Sequence, residues 1–193
     1  MRPLFLMAII VGAVNAQTTA VTFKSSAAQT ALLELYTSEG CSSCPPAEAQ
    51  LSRLKQSPGL WKDFVPVAFH VDYWDYLGWR DRWADERFSD RQRTYARQWH
   101  SDTVYTPGFV LNGQEARDWG RKEIPSSLDT TMGVLAVASA DLNHWQISFV
   151  PANSSSSEYE VHAALLACGL TSDVKAGENR GRRLNHDFVA LTL

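Results

Sequence analysis

No long run of basic residues occurs anywhere in the 193-residue chain, and its formal net charge is −3. Nothing in it suggests a nucleic-acid face. Beyond the first residues there is no second long apolar run, so stable membrane insertion is not expected and the processed protein should be soluble. No internal repeat is evident. A Gly- and Arg-rich stretch, Gly177-Glu178-Asn179-Arg180-Gly181-Arg182-Arg183, lacks the strand–loop–helix context of a phosphate loop and reads as a hairpin turn with solvated arginines. Cysteine is scarce, with three in all. That number is odd, so if Cys41 and Cys44 pair, Cys168 is left over. Cys168 follows the apolar stretch 163–167 and is expected to be a small buried hydrophobe.

The first residues read as a targeting segment rather than as fold. Arg2 gives a positive start, residues 4–14 are apolar, and Val14-Asn15-Ala16 has the small-x-Ala pattern of a cleavage site. Residues 1–16 are therefore expected to be a signal peptide, cleaved after Ala16. The apolar stretch is too short to span a bilayer comfortably. The expected location is the periplasm or the exterior, an oxidising setting in which a dithiol cycles only if a redox partner resets it.

What the chain does have is Gly40-Cys41-Ser42-Ser43-Cys44-Pro45-Pro46. An apolar, strand-like run (31–37) precedes it and a helix-like run (47–56) follows. Pro45 and Pro46 suit the first helical turn, where a missing N–H costs little. A Cys-x-x-Cys at a strand-to-helix junction is the layout of a thioredoxin-like redox site. Orphan N–H groups and the positive helix end stabilise a thiolate at the first Cys. Cys41 is thus the candidate nucleophile, expected to be the more exposed thiol, and Cys44 the resolving thiol. Glu39 would raise the thiol pKa if it points inward.

Further along, residues 64–71 read as a central strand. An aromatic cluster follows: Tyr73, Trp74, Tyr76 and Trp79. Ser89-Asp90-Arg91-Gln92 looks like a capping box with Ser89 as N-cap, opening a helix that carries Tyr95 and Trp99 on one face. Residues 103–111 read as a strand interrupted by Pro107, and Asn112-Gly113 as a hairpin turn. Residues 133–140, 144–150, 158–167 and 184–193 look like strands, with turns at 141–143 and a loop at 154–157. This divides the chain into a leader (17–29) with one short strand near 21–23, an α/β domain (30–129) and a β-rich extension (130–193). The extension ends in mid-pattern and is expected to be incomplete.

Thr106-Pro107 stands where thioredoxin-like folds carry a cis-proline, just before a strand and hairpin. A cis X-Pro bond persists only when the fold imposes it. With Pro107 cis, the Thr106 backbone is available to pair with an extended substrate segment. An ordinary trans turn proline is the plainer reading of Pro107 taken alone. Trp74, within the aromatic cluster, is a candidate for contact with an apolar peptide, although such clusters more often form core. On a strand, His70 and Asp72 would share a side, with Asp75 near, which suits a metal or a proton relay. Against that, no second ligand pair has metal spacing, so a strand-end His among solvated acids is the plainer reading.

Several of these segments together resemble a secreted bacterial thioredoxin-like family, domain of unknown function 1223. They are 34–48, 68–79, Val104-Tyr105-Thr106-Pro107, Arg91-Gln92-Arg93 and 177–182. The resemblance runs from about Leu32 to the end of the chain. It implies a thioredoxin-like α/β fold with an exported, β-rich C-terminal extension, and family members run on past the point where this chain stops. It implies no defined reaction.

Three functions remain in contention. One is an exported thiol–disulfide oxidoreductase acting on protein or peptide thiols and disulfides. It uses Cys41 and Cys44, docks substrate on Thr106, Pro107 and Trp74, and needs no organic cofactor. Another is a metallochaperone in which reduced Cys41 and Cys44 with His70 hold a soft ion such as Cu(I). The third is an interaction module in which the disulfide only staples a loop.

Overall fold

The computed structural model describes residues 20–118, 128–153 and 158–193. The expected signal peptide and the 154–157 loop lie outside these residues. In chain order the elements are β1 (Val21–Lys24), β2 (Ala28–Gln29), β3 (Ala31–Thr37), α1 (Cys44–Arg53), β4 (Phe64–His70), α2 (Glu86–Gln98), β5 (Gly108–Leu111) and β6 (Gln114–Glu115). There follow β7 (Leu128–Thr131), β8 (Gly133–Ser139), β9 (Gln146–Pro151), β10 (Leu165–Ala167), β11 (Leu170–Asp173), β12 (Arg183–His186) and β13 (Val189–Thr192). This is a mixed α/β protein. No helix among the described residues is long and apolar enough to cross a membrane.

The central sheet has the order β10-β13-β4-β3-β5-β6. β3 runs parallel to β4, from Ala31 opposite Phe64 to Thr37 opposite His70, and antiparallel to β5. Because strand side chains alternate between faces, β3 serves both sides of the sheet. Leu33 and Leu35 pack with Ala47 and Leu51 of α1, Ala68 and Phe188. Tyr36 packs on the other face with Phe69, Phe88 of α2 and Val110. Glu34 shares that second face and is fully buried. Its carboxylate accepts from Arg91 Nε at 2.7 Å and from the Tyr95 hydroxyl at 2.8 Å.

Local signals explain most element ends. Asn112 and Gly113 both have positive φ, as a tight hairpin between β5 and β6 requires. Tyr95 and Trp99 stack on one face of α2, with centroids 5.5 Å apart. α2 begins a turn earlier than a capping box at Ser89 would place it. Asp85 is the N-cap and accepts from Arg87 N, whereas Ser89 is buried inside the helix and donates to the Asp72 carboxylate. The strand expected over 103–111 is confined to Gly108–Leu111, and that expected over 158–167 to Leu165–Ala167. The single strand expected over 184–193 is two, because Asp187 and Phe188 (φ 58°) turn the chain between β12 and β13.

Residues 130–193, read from the sequence as an extension set apart from the α/β domain, join it in two places. β13 joins the central sheet parallel to β4, with Val189 opposite Ala68, and carries β10 on its outer side. The β11–β12 hairpin sends its connecting loop back to the Cys motif, as described below. β1, β8 and β9 form a separate three-stranded antiparallel sheet. Cys168 is exposed rather than buried, since it follows the outermost strand of the central sheet.

Candidate functional site

β3 delivers the chain into the Ser38–Ser43 turn, and α1 starts at Cys44 with prolines in its first turn. Cys41 and Cys44 are joined as a disulfide with Cα atoms 5.4 Å apart. The Cys41 sulfur lies 3.3 Å from Ser43 Oγ. Cys41 was expected to be the more exposed thiol, but the two hardly differ, at 1% and 0% exposed, and both are buried. The reason is tertiary. Trp74 packs against Gly40 so closely that a Cβ there would come within 2.8 Å of Trp74 Cβ. From the other side the loop after β11 folds over residues 39–42. Asn179, itself fully buried, donates from Nδ2 to the carbonyl oxygens of Glu39 and Cys41, both at 2.9 Å. The Glu178 carboxylate accepts from Ser42 N at 2.9 Å. Arg182 donates to Asn179 Oδ1 at 2.8 Å, so this arginine orients the clamp rather than standing free in solvent.

Asn179→Ala removes both clamp bonds. The expected outcome is reduction of the disulfide by a small thiol several-fold faster than in the parent protein, followed by trapping of free thiols. An unchanged rate would show that another part of the wall limits access.

The Thr106–Pro107 peptide bond is cis. Pro107 immediately precedes Gly108, which pairs with Tyr36 near the end of β3 that leads to Cys41. Trp74 Nε1 donates to Thr106 Oγ1 at 2.8 Å. Trp74 therefore touches both the Cys loop at Gly40 and the residue before the cis bond. The three candidate substrate contacts, Thr106, Pro107 and Trp74, lie together.

Beneath the disulfide lies a buried polar cluster that the sequence only hinted at. Thr37 and His70 sit opposite each other on β3 and β4, two positions on from Leu35 and Ala68 and so on the same, α1-side face of the sheet. Glu48 is one turn along α1 from Cys44 and is 5% exposed. It accepts from Thr37 Oγ1 at 2.6 Å and is tightly paired with His186 Nδ1 from β12. His186 Nε2 in turn lies 3.2 Å from Glu39 Oε1, out of line for a hydrogen bond. Glu39 Oε2 accepts from Trp79 Nε1 at 2.6 Å.

His70 Nδ1 is 2.7 Å from Asp81 Oδ2, and neither side chain is exposed. Of the two sequence readings, the grouping of His70 with Asp72 gives way to His70 with Asp81, and the plainer one of a strand-end His among solvated acids gives way to a buried pair. Asp72 is taken by Ser89, and Asp75 accepts from the Asp81 N–H.

Burial alone would deprotonate His186, but the Glu39 and Glu48 carboxylates outweigh it and hold the imidazole up at about 10. Burial likewise opposes charge on His70, and Asp81 outweighs it, raising the pKa. Burial pushes the Glu39 and Asp81 carboxyls up, but their histidine partners and donor N–H groups hold both below the usual range. Glu39 points inward, as one sequence reading allowed, and its charge is absorbed by His186 and Trp79.

Among the described residues, Glu48, His70 and His186 are the group with metal-holding geometry, each offering one atom within 4.8 Å of the others. Cys41 and Cys44, proposed with His70 as a soft-metal set, are bonded to one another and lie outside that group. Sequence reasoning missed Glu48, Asn179 and His186. The available signal was that Glu48 and Asn179 lie within the segments 34–48 and 177–182 that carry the family resemblance, whereas His186 lies in none of them.

The chain thus presents a mixed α/β protein with a buried disulfide at a helix head and a charged cluster behind it. It matches the family described as a protein of unknown function (DUF1223) over residues 32–193, and belongs to that family. No curated protein matches it. It is similar to a protein from Agrobacterium tumefaciens of known crystal structure, with 41% identity over 48% of this chain and a TM-score of 0.42. The chain spans only 40% of that protein.

Proposed function

We propose that the protein is an exported thiol–disulfide oxidoreductase of thioredoxin-like build, with Cys41 and Cys44 as the exchanging pair. The observation that carries the reading is the disulfide at the head of α1, directly after β3. Further support comes from the parallel β3–β4 pair and from the antiparallel hairpin entered through a cis-proline. Thr106, Pro107 and Trp74 would receive an extended segment of a substrate protein or peptide. Export rests on the apolar N-terminal stretch and its Val14-Asn15-Ala16 cleavage pattern.

Starting from the disulfide, a thiolate of a dithiol partner attacks the Cys41 sulfur. The Cys41–Cys44 bond breaks, Cys44 leaves as a thiolate, and a mixed disulfide forms. The partner's second thiolate then attacks its own sulfur in that mixed disulfide. The partner departs oxidised, and the pair is left reduced by two electrons. The reverse sequence passes those electrons to a substrate disulfide. Both sulfurs are buried, so attack requires the wall around Cys41 to open first. Trp74 and the Asn179 loop are parts of that wall.

The same burial favours a second reading, in which the bridge is a structural staple. The reduction potential separates the two. An exchanging pair is expected between about −120 and −270 mV, and a staple below about −300 mV. In the exchanging case, Cys41→Ser abolishes turnover of a model disulfide by the reduced protein, and equal activity in that variant would remove the assignment.

A further inference from the structure

The structure assigns a site for one divalent first-row transition ion, of which Zn²⁺ is the type, to His70 Nε2, His186 Nδ1 and Glu48 Oε2, beneath the disulfide.

The first observation is proximity. One atom each from Glu48, His70 and His186 lies within 4.8 Å of the other two, and all three residues are buried. The second is an orphaned group. His70 is 0% exposed and its Nδ1 is engaged by Asp81, yet its Nε2 has no hydrogen-bond partner. A buried ring nitrogen without a partner is costly, whereas a lone pair aimed at a cation is not. The His70 and His186 rings stand edge to face with centroids 5.1 Å apart, close enough to share one ion.

The third observation is the shell behind the ligands. Metal-bound histidines commonly turn their second nitrogen to a carboxylate, which fixes the ring and strengthens it as a ligand. His70 has that partner, Asp81 Oδ2 at Nδ1, 2.7 Å, while Glu39 Oε1 lies 3.2 Å from His186 Nε2 as a nearby charge without hydrogen-bond alignment. Thr37 Oγ1 holds the remaining Glu48 oxygen at 2.6 Å. The contact between His186 Nδ1 and Glu48 Oε2 is where the ion enters, replacing the hydrogen bond that joins them.

Two imidazoles and one carboxylate suit Zn²⁺ in tetrahedral coordination with one position left over. Three carboxylates, Glu39, Glu48 and Asp81, converge on two imidazoles, so a divalent cation also meets the charge of the pocket. The set contains no sulfur. It is therefore independent of the redox state of Cys41 and Cys44, and of whether the protein exchanges disulfides at all.

The test uses full-length protein with its disulfide intact, refolded with Zn²⁺ or Co²⁺ and freed of excess ion by gel filtration. One ion per chain is expected by elemental analysis. Co²⁺ should give visible bands of nitrogen and oxygen coordination without a thiolate charge-transfer band. X-ray absorption on the zinc form should show two imidazoles and no sulfur. Cys41→Ser with Cys44→Ser keeps the stoichiometry, and Asp81→Asn weakens affinity about 10- to 100-fold by releasing His70. His70→Gln and Glu48→Gln lose the ion. If either fails to fold, the cobalt and absorption signatures of the parent protein decide alone. No retained ion in the parent protein, sulfur in the first shell, or loss of binding only in the cysteine variant would each overturn the site.

Discussion

Replacing Arg91 with methionine is expected to lower the unfolding free energy by about 3–5 kcal/mol, the usual cost of breaking a buried ion pair from one side. Glu34 sits in the middle of the central strand with no exposure. Its charge is met by Arg91, whose side chain reaches in from α2 and is 28% exposed, and by the Tyr95 hydroxyl. Without the guanidinium, a carboxylate is left unpaired among Tyr36, Phe69 and Val110. The effect belongs to desolvation rather than to the attraction of the pair, so replacing both partners should undo much of it. Arg91→Met combined with Glu34→Leu is expected to recover most of the lost stability. Urea unfolding of the two variants measures this directly. A loss below about 1 kcal/mol in Arg91→Met would mean that Glu34 reaches water despite its position.

Phe188→Ala is expected to cost about 3–5 kcal/mol, as for other buried aromatic truncations. Phe188 lies between β12 and β13, yet it is 1% exposed and packs with Leu33, Leu35, Leu51 and Ala68 in the core under α1. Its ring meets Trp61 edge to face at 5.8 Å, and its carbonyl accepts from Ala68 N at 2.8 Å. The prediction concerns cooperativity as well as magnitude. Because β13 is a strand of the central sheet, the loss should appear in one transition, seen alike by tryptophan fluorescence and by far-ultraviolet circular dichroism. Two separated transitions, with the one reporting β3 and β4 unmoved, would show that the C-terminal segment folds independently.

These two residues mark opposite ends of what a sequence can tell. Arg91 sits on a helix with legible periodicity, but its partner Glu34 lies in a run that otherwise reads as apolar strand. A buried acid there is intelligible only once α2 is known to cross that face. Phe188 looked like one more residue of a terminal strand. Nothing local announced that the chain turns at Asp187 and Phe188 and then enters the central sheet beside β4. The N-cap of α2 was misplaced for a similar reason. Ser89 has capping chemistry, but the hydroxyl found a carboxylate partner in Asp72, and Asp85 took the cap one turn earlier.

The amino-acid order alone determined β3, α1 and β4, the hairpin at Asn112-Gly113 and the placing of Cys41 and Cys44 at a strand-to-helix junction. Those features depend on alternation, proline and turn chemistry acting over a few neighbouring residues. The tertiary structure decided that both sulfurs are buried, that Asn179 clamps their loop, and that Glu48, His70 and His186 meet beneath them. Glu48 and His186 are 138 positions apart. Contacts of that kind leave no spacing in the chain, because they exist only after β13 has joined the central sheet beside β4 and the β11–β12 hairpin has packed against α1.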